Sequence, residues 1–182
     1  GNVSGLSYVD STDRFDVTAV PTTFTESDLI PGSSIGSSLS FPSSPQVQLH
    51  ILVDSAGAPT TSGTDLVITG AINNTGSLPP GTVVADGTLL TGKIIEFGYQ
   101  DNGSDANFDF RFQPTGGLLF TNYPFFSNND IGVTIFSDAG STFDGDFTGD
   151  FTGNAKLFVG AIPKLGQPCI EVVKLTNGVD DA

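Results

Sequence analysis

The chain has no tryptophan and no methionine, one cysteine, one histidine, and only 6 lysines and arginines against 20 aspartates and glutamates. Each shortage closes off a class of protein. A lone cysteine, Cys169, leaves no disulfide framework and no paired thiolates for zinc. The lone histidine, His50, has no second imidazole or cysteine at a metal-ligand spacing, and is expected hydrogen-bonded or exposed on a sheet face. The net charge of −14 sets the chain against nucleic acid and anionic membranes, both polyanions, so neither is expected as a partner. No apolar run approaches the ~20 residues a helix needs to cross a bilayer, and no membrane span is expected. Glutamate is limited to Glu26, Glu96 and Glu171, and no spacing singles out a carboxylate pair for glycoside hydrolysis. No nucleophile-elbow sequence surrounds any serine. The chain is therefore read as non-enzymatic.

What is present is phenylalanine, 15 residues, and glycine, 23 residues. At 143–153, Phe143, Gly145, Phe147, Gly149, Phe151 and Gly153 fall on one parity, and Asp144, Asp146, Thr148, Asp150 and Thr152 on the other. Side chains alternate across a strand, so the pattern predicts one aromatic face and one acid/threonine face. A helix would also bring the phenylalanines together, but its internal glycines cost about 1 kcal/mol each, and a strand is preferred. Disorder, the other habit of acidic Gly/Ser/Thr-rich chains, is opposed by recurrent Phe, Ile, Leu and Val clusters able to form a core.

In chain order, Leu6–Val9 and Phe15–Val20 read as a hairpin turning at Asp10–Asp13. Residues 22–45 read as a long loop with a short strand near Ser38–Phe41. Val47–Val53, Asp65–Ile72, Thr82–Val84, Thr88–Tyr99, Phe108–Gln113, Leu118–Thr121, Ile131–Phe136 and Asp146–Val159 read as strands. In Phe108–Gln113 the phenylalanines face inward and Asp109 and Arg111 outward. About ten strands at short spacing, without helical periodicity, predict an all-β antiparallel two-sheet sandwich, jelly-roll-like, over 1–161. Residues 162–168 read as a linker, and 169–182 as an extended strand that begins a following module or is donated to a neighbour.

Three segments carry a family resemblance: Gly87–Tyr99, Phe108–Gly117 and Gly132–Gly153. Their order and spacing resemble the exported β-rich proteins of cyanobacteria, planctomycetes and related bacteria that bear PEP-CTERM sorting tails, over roughly residues 5–160. The Pro-Glu-Pro tail and its anchor are absent from this chain. In their place PCIEVVKLTNGVDDA (168–182) resembles the first strand of repeated bacterial surface domains. The resemblance implies an extracellular protein of a cell-surface layer, filament or biofilm matrix, the front module of a longer chain. It transfers no reaction and no binding residues.

Candidate sites follow from residue chemistry. Asp101, Asp105, Asn107 and Asp109 place oxygens along an acidic hairpin, weakly suited to calcium, which takes 6–8 hard oxygens; turn geometry explains the same residues. No other cofactor is expected. Asp144, Asp146 and Asp150 lie ~7 Å from one to the next if the segment is a strand, which favours a solvated face. Tyr99 and Tyr123, with Phe125 and Phe126, are the candidate aromatic platform for an extracellular polysaccharide, the alternative function being a carbohydrate-binding module. Ile170, Val172 and Leu175 are the candidate anchors for self-assembly by strand addition. Asn2, Asn73 and Asn102 open N-x-Ser/Thr sequons that mark turns.

Overall fold

The computed structural model describes residues 2–21, 24–26, 37–39, 45–74, 82–103, 105–138, 140–164, 175–176 and 179–180. In order the strands are β1 Asn2–Val9, β2 Arg14–Val20, β3 Phe24–Glu26, β4 Ser37–Leu39, β5 Gln46–Val53, β6 Pro59–Thr60 and β7 Leu66–Asn74. They continue with β8 Thr82–Asp101, β9 Ala106–Gly116, β10 Asn129–Ser137, β11 Phe151–Gly153, β12 Ala155–Pro163, β13 Leu175–Thr176 and β14 Val179–Asp180. Two helices, α1 Leu118–Asn122 and α2 Pro124–Asn128, lie between β9 and β10. β3 pairs with β4 and β13 with β14 as separate two-stranded sheets.

The fold is all-β and antiparallel, as the alternation predicts. The expected division into two sheets does not appear in the hydrogen bonding. Ten strands form one sheet, ordered β11-β1-β12-β10-β9-β8-β7-β5-β2 with β6 on β5. β1 also pairs with β2 along its length, so the ends of the sheet meet and it curls around its core. Inward/outward alternation is the same in a sandwich and in a curled sheet. Only the pairing order separates them.

The inward parity of each strand is the apolar one. Phe15, Val17 and Ala19 of β2, Val47, Leu49, Ile51 and Val53 of β5, and Phe108, Phe110 and Phe112 of β9 are all buried. The β1–β2 turn is a 3-10 turn over Asp10–Thr12, closed by Asp13 at φ 55°, a left-handed geometry that a short polar side chain tolerates. β8 runs unbroken for 20 residues where two strands were expected. Gly87 in β8 faces Gly70 in β7 and both have positive φ, so the two strands bend together.

Three sequence expectations are corrected. Leu118–Thr121 is helical. Gly117 precedes it at φ 102°, where any Cβ would meet the Leu89 carbonyl oxygen at 2.5 Å. The chain turns there, and Pro124 opens the second helix. The 143–153 segment is a strand only at Phe151–Gly153. Before that it is a series of bends, with Gly145 at φ 100° and the Asp146 carboxylate accepting from the Thr148 amide at 2.9 Å. Its phenylalanines are buried nonetheless, through turns rather than a pleat. Finally, the start of the expected linker, Ile162–Pro163, belongs to β12.

Phe143, Phe147 and Phe151 close one end of the core. Phe147 lies 5.0 Å edge-on to Tyr8 and to Tyr99, and Phe108 stacks on Phe151 at 6.1 Å. The buried Tyr8 hydroxyl reaches the carbonyls of Val53 at 2.9 Å and Phe147 at 3.2 Å. Burial, then the carboxylates of Asp13, Asp10, Asp54 and Asp150, push its pKa up to about 12. At the other end α1 packs on β8 and β9, and Leu119 and Phe126 are buried.

Candidate functional site

The surface feature that most sets this sheet apart is the second edge of β12. Along one side β12 pairs with β10 over its whole length, from Ala155↔Ser137 to Pro163↔Asn129. Along the other it meets β1 at a single position, Asn2↔Lys156. From Phe158 to Pro163, β12 therefore has one strand neighbour among the described residues. Side-chain exposure follows. Val159 points inward opposite the buried Val133, yet it is 40% exposed. Edge strands are commonly protected by charge or proline. Here Lys156 and Pro163 stand at the two ends, and Phe158–Ile162 between them carries no charge.

The far end of β12 is fastened by an ion pair on the outer face. Arg111 of β9 donates through Nε to Asp130 of β10 at 2.9 Å and through Nη2 to the Pro163 carbonyl, while Glu96 of β8 stands 3.7 Å from its Nη1. Gly132 separates Arg111 from β12, and the Ile162 side chain lies over that glycine, 3.3 Å from where a Cβ would stand. Asp130 is only 5% exposed. Removing Arg111 would leave a buried unpaired carboxylate, at a cost of several kcal/mol.

His50 is hydrogen-bonded on an outer face, as expected. It sits directly opposite Asp16 across the β2–β5 ladder, with Nδ1 2.5 Å from Asp16 Oδ1. Arg14 Nε donates to the other oxygen of Asp16 at 2.6 Å. The three border a shallow groove of about 430 Å³ with Thr18, Gln48 and Thr64. Ser62 directs its hydroxyl to the His50 main-chain carbonyl and to Asp65, not to the imidazole. The group is an oriented imidazole–carboxylate–guanidinium chain, visible in sequence only once β2 and β5 are known to be neighbours.

Asp65 is the most enclosed carboxylate. It accepts from Thr61 Oγ1, Ser62 N, Ser62 Oγ and Ile94 N at 2.7–3.0 Å. Burial raises its pKa, but the bonds from Thr61, Ile94 and Ser62 outweigh burial and hold it below the ordinary value. The stability it contributes is present above the unfolded carboxylate range and is lost as pH falls through its depressed folded pKa. Its partners tie the β6–β7 connection to β8, a structural role.

The expected sites fare unevenly. In the acidic hairpin, Asp101 Oδ1 accepts from the Gly103 amide, and Asp109 Oδ1 accepts from the Thr134 hydroxyl. Asp105 lies in the turn, and Asn107 lies along β9, opposite Gln100. Among the described residues no three His, Cys, Asp or Glu side chains gather to hold one cation. Tyr99 and Tyr123 do not share a face. Tyr99 packs on Phe143, Phe147 and Gly57 at one end. Tyr123 follows α1, which packs beside Leu89, and about 30 Å of strand separates the two ends. Asp144, Asp146 and Asp150 are exposed, as expected. Asp150 accepts from the Asp10 amide, and the hydroxyl and amide of Thr148 hold the Asp146 carboxyl below the ordinary value. Ile170 and Val172 lie outside the described residues, as do Cys169 and Glu171; Leu175 is in β13. Of the sequon asparagines, Asn2 and Asn73 lie in strands and Asn102 in the β8–β9 turn.

The geometry defines a curled, antiparallel all-β module in which β12 beyond Lys156 has one strand neighbour among the described residues. No protein-family model, curated protein or solved structure matches the chain. Among the described residues no helix is long and apolar enough to cross a membrane.

Proposed function

We propose that the chain is a non-enzymatic structural module of an extracellular layer, filament or biofilm matrix, joined to its neighbours by strand addition at β12. The observation that carries the reading is the uncharged stretch from Phe158 to Ile162, which has one strand neighbour among the described residues, with the inward-facing Val159 exposed within it. A strand laid along that edge would satisfy main-chain donors and acceptors and cover Val159, the two gains on which β-augmentation rests. The apolar stretch at Ile170, Val172 and Leu175 of a neighbouring copy is the proposed donor. Composition supports the habitat: few lysines, abundant small polar residues and a single cysteine. So does the resemblance to exported β-rich bacterial proteins.

Two variants test this. Val159→Lys puts an inward-pointing charge on the edge, and truncation after Pro163 removes the donor. Each is expected to convert assemblies seen by sedimentation and negative-stain microscopy into monomers. A truncated chain that assembles like the full one would refute strand donation.

A further inference from the structure

The outer faces of β8, β9, β10 and β12 are aligned in two cross-strand rows: Gly98–Asp109–Thr134–Phe158, and Glu96–Arg111–Gly132–Gly160. Outward positions on a strand normally carry side chains. Here three of the eight are glycine, which weakens a strand interior and recurs where a ligand approaches the backbone closely. At Gly98 and Gly132 the missing side chains leave an open trough of about 550 Å³, lined also by Asp109, Arg111 and Thr134 and walled by Glu96 and Ile162. Asp109 uses one oxygen to hold the Thr134 hydroxyl at 2.7 Å, and Glu96 is half exposed. Beside Thr134 stand two outward rings. Phe158 is 60% and Phe136 43% exposed, set edge to face at 5.9 Å.

We propose that this trough binds a neutral polysaccharide. An aromatic face attracts the weakly positive C–H face of a sugar ring through its quadrupole, and Asp109 and Glu96 supply acceptors for hydroxyl donors. A trough of a few hundred cubic ångströms has the dimensions of a small-ligand subsite. The net charge of −14 selects against polyanionic chains. The site uses none of the expected platform residues: Tyr99 follows Gly98 on β8 but packs on Phe143 and Phe147 from the other face of the strand. It is also separate from strand addition, which engages the main chain of β12 and the inward side of Val159.

Glycine 98 makes the test clean. Its φ is not in the left-handed region, and a Cβ there would meet nothing within 4 Å, so Gly98→Val is accepted by the fold and fills the trough. The full chain is run by affinity electrophoresis in gels containing xyloglucan, arabinoxylan or mixed-linkage β-glucan, with alginate as the polyanion control. Cellulose and chitin pull-downs extend the series. The expected result is retention by at least one neutral polymer, weakened about tenfold or more by Gly98→Val and by Phe158→Ala at unchanged Tm, and left intact by Val159→Lys. Absence of retention by every neutral polymer, retention by alginate alone, or full binding by Gly98→Val would overturn the proposal. So would self-association that Gly98→Val abolishes while no polysaccharide binds.

Discussion

β9 sends Phe108, Phe110 and Phe112 into the core from every second residue of a regular strand, whereas Phe143, Phe147 and Phe151 reach the same core from every fourth residue of a bent segment. The two runs touch: Phe108 lies 5.1 Å from Phe143 and 6.1 Å from Phe151. In β9 the main chain is satisfied by ladders to β8 and β10. In 143–150 local carboxylate and hydroxyl bonds appear instead, such as Thr148 to Asp146 and Phe143 N to Ser141 Oγ. Burial of rings thus does not require a pleat. It requires that the backbone leave each ring on the core side, and glycine-aspartate turns do this at a spacing of four.

If both runs are full parts of one core, Phe147→Ala and Phe108→Ala should each cost about 3–5 kcal/mol, read as equal shifts in a denaturant midpoint. A Phe147→Ala loss below about 1 kcal/mol would show the bent run to be a loose cover and break the comparison. Tyr8 joins this core to the bent run through the Phe147 carbonyl. With its pKa raised from 10.0 to about 12, its stabilisation is complete below pH 10 and is lost as pH rises toward 12. Tyr8→Phe should flatten the alkaline limb of a pH–stability curve.

Glycines sharpen the contrast at smaller scale. Gly145→Ala meets positive φ and a 3.0 Å approach to Asp101 Oδ2, and should cost about 1–2 kcal/mol. Gly149→Ala has open space and no positive φ; it should be neutral, or stabilising by up to about 1 kcal/mol. Equal effects at the two positions would mean that the turn at 145 does not direct Phe147 inward. Smallest of all, Phe158→Ala should change Tm little, because its exposed ring supports no core.

The strands with strict alternation, β2, β5, β9 and β10, were legible because one face of each had to be apolar. The β1–β2 turn was legible from its aspartates. The helices after Gly117 were not, since the short apolar stretch from Leu118 suits either state and the deciding contact is with Leu89, far back in the chain. The Arg14–Asp16–His50 chain and the Arg111–Asp130 pair join residues from different strands, so no local spacing announces them. Tyr99 and Tyr123 were grouped by residue type, and the fold sends them to opposite ends.

Amino-acid order alone determined that this chain builds strands, which parity of each strand turns inward, and that its surface is strongly acidic. These follow from side-chain alternation and charge, both local properties. Tertiary structure alone decided that the sheet curls into one piece, that β12 beyond Lys156 has one strand neighbour among the described residues, and that glycines on β8 and β10 line one trough. Those depend on which strands become neighbours and in what register, and main-chain hydrogen bonding, common to every residue but proline, leaves that choice to the packing of the whole.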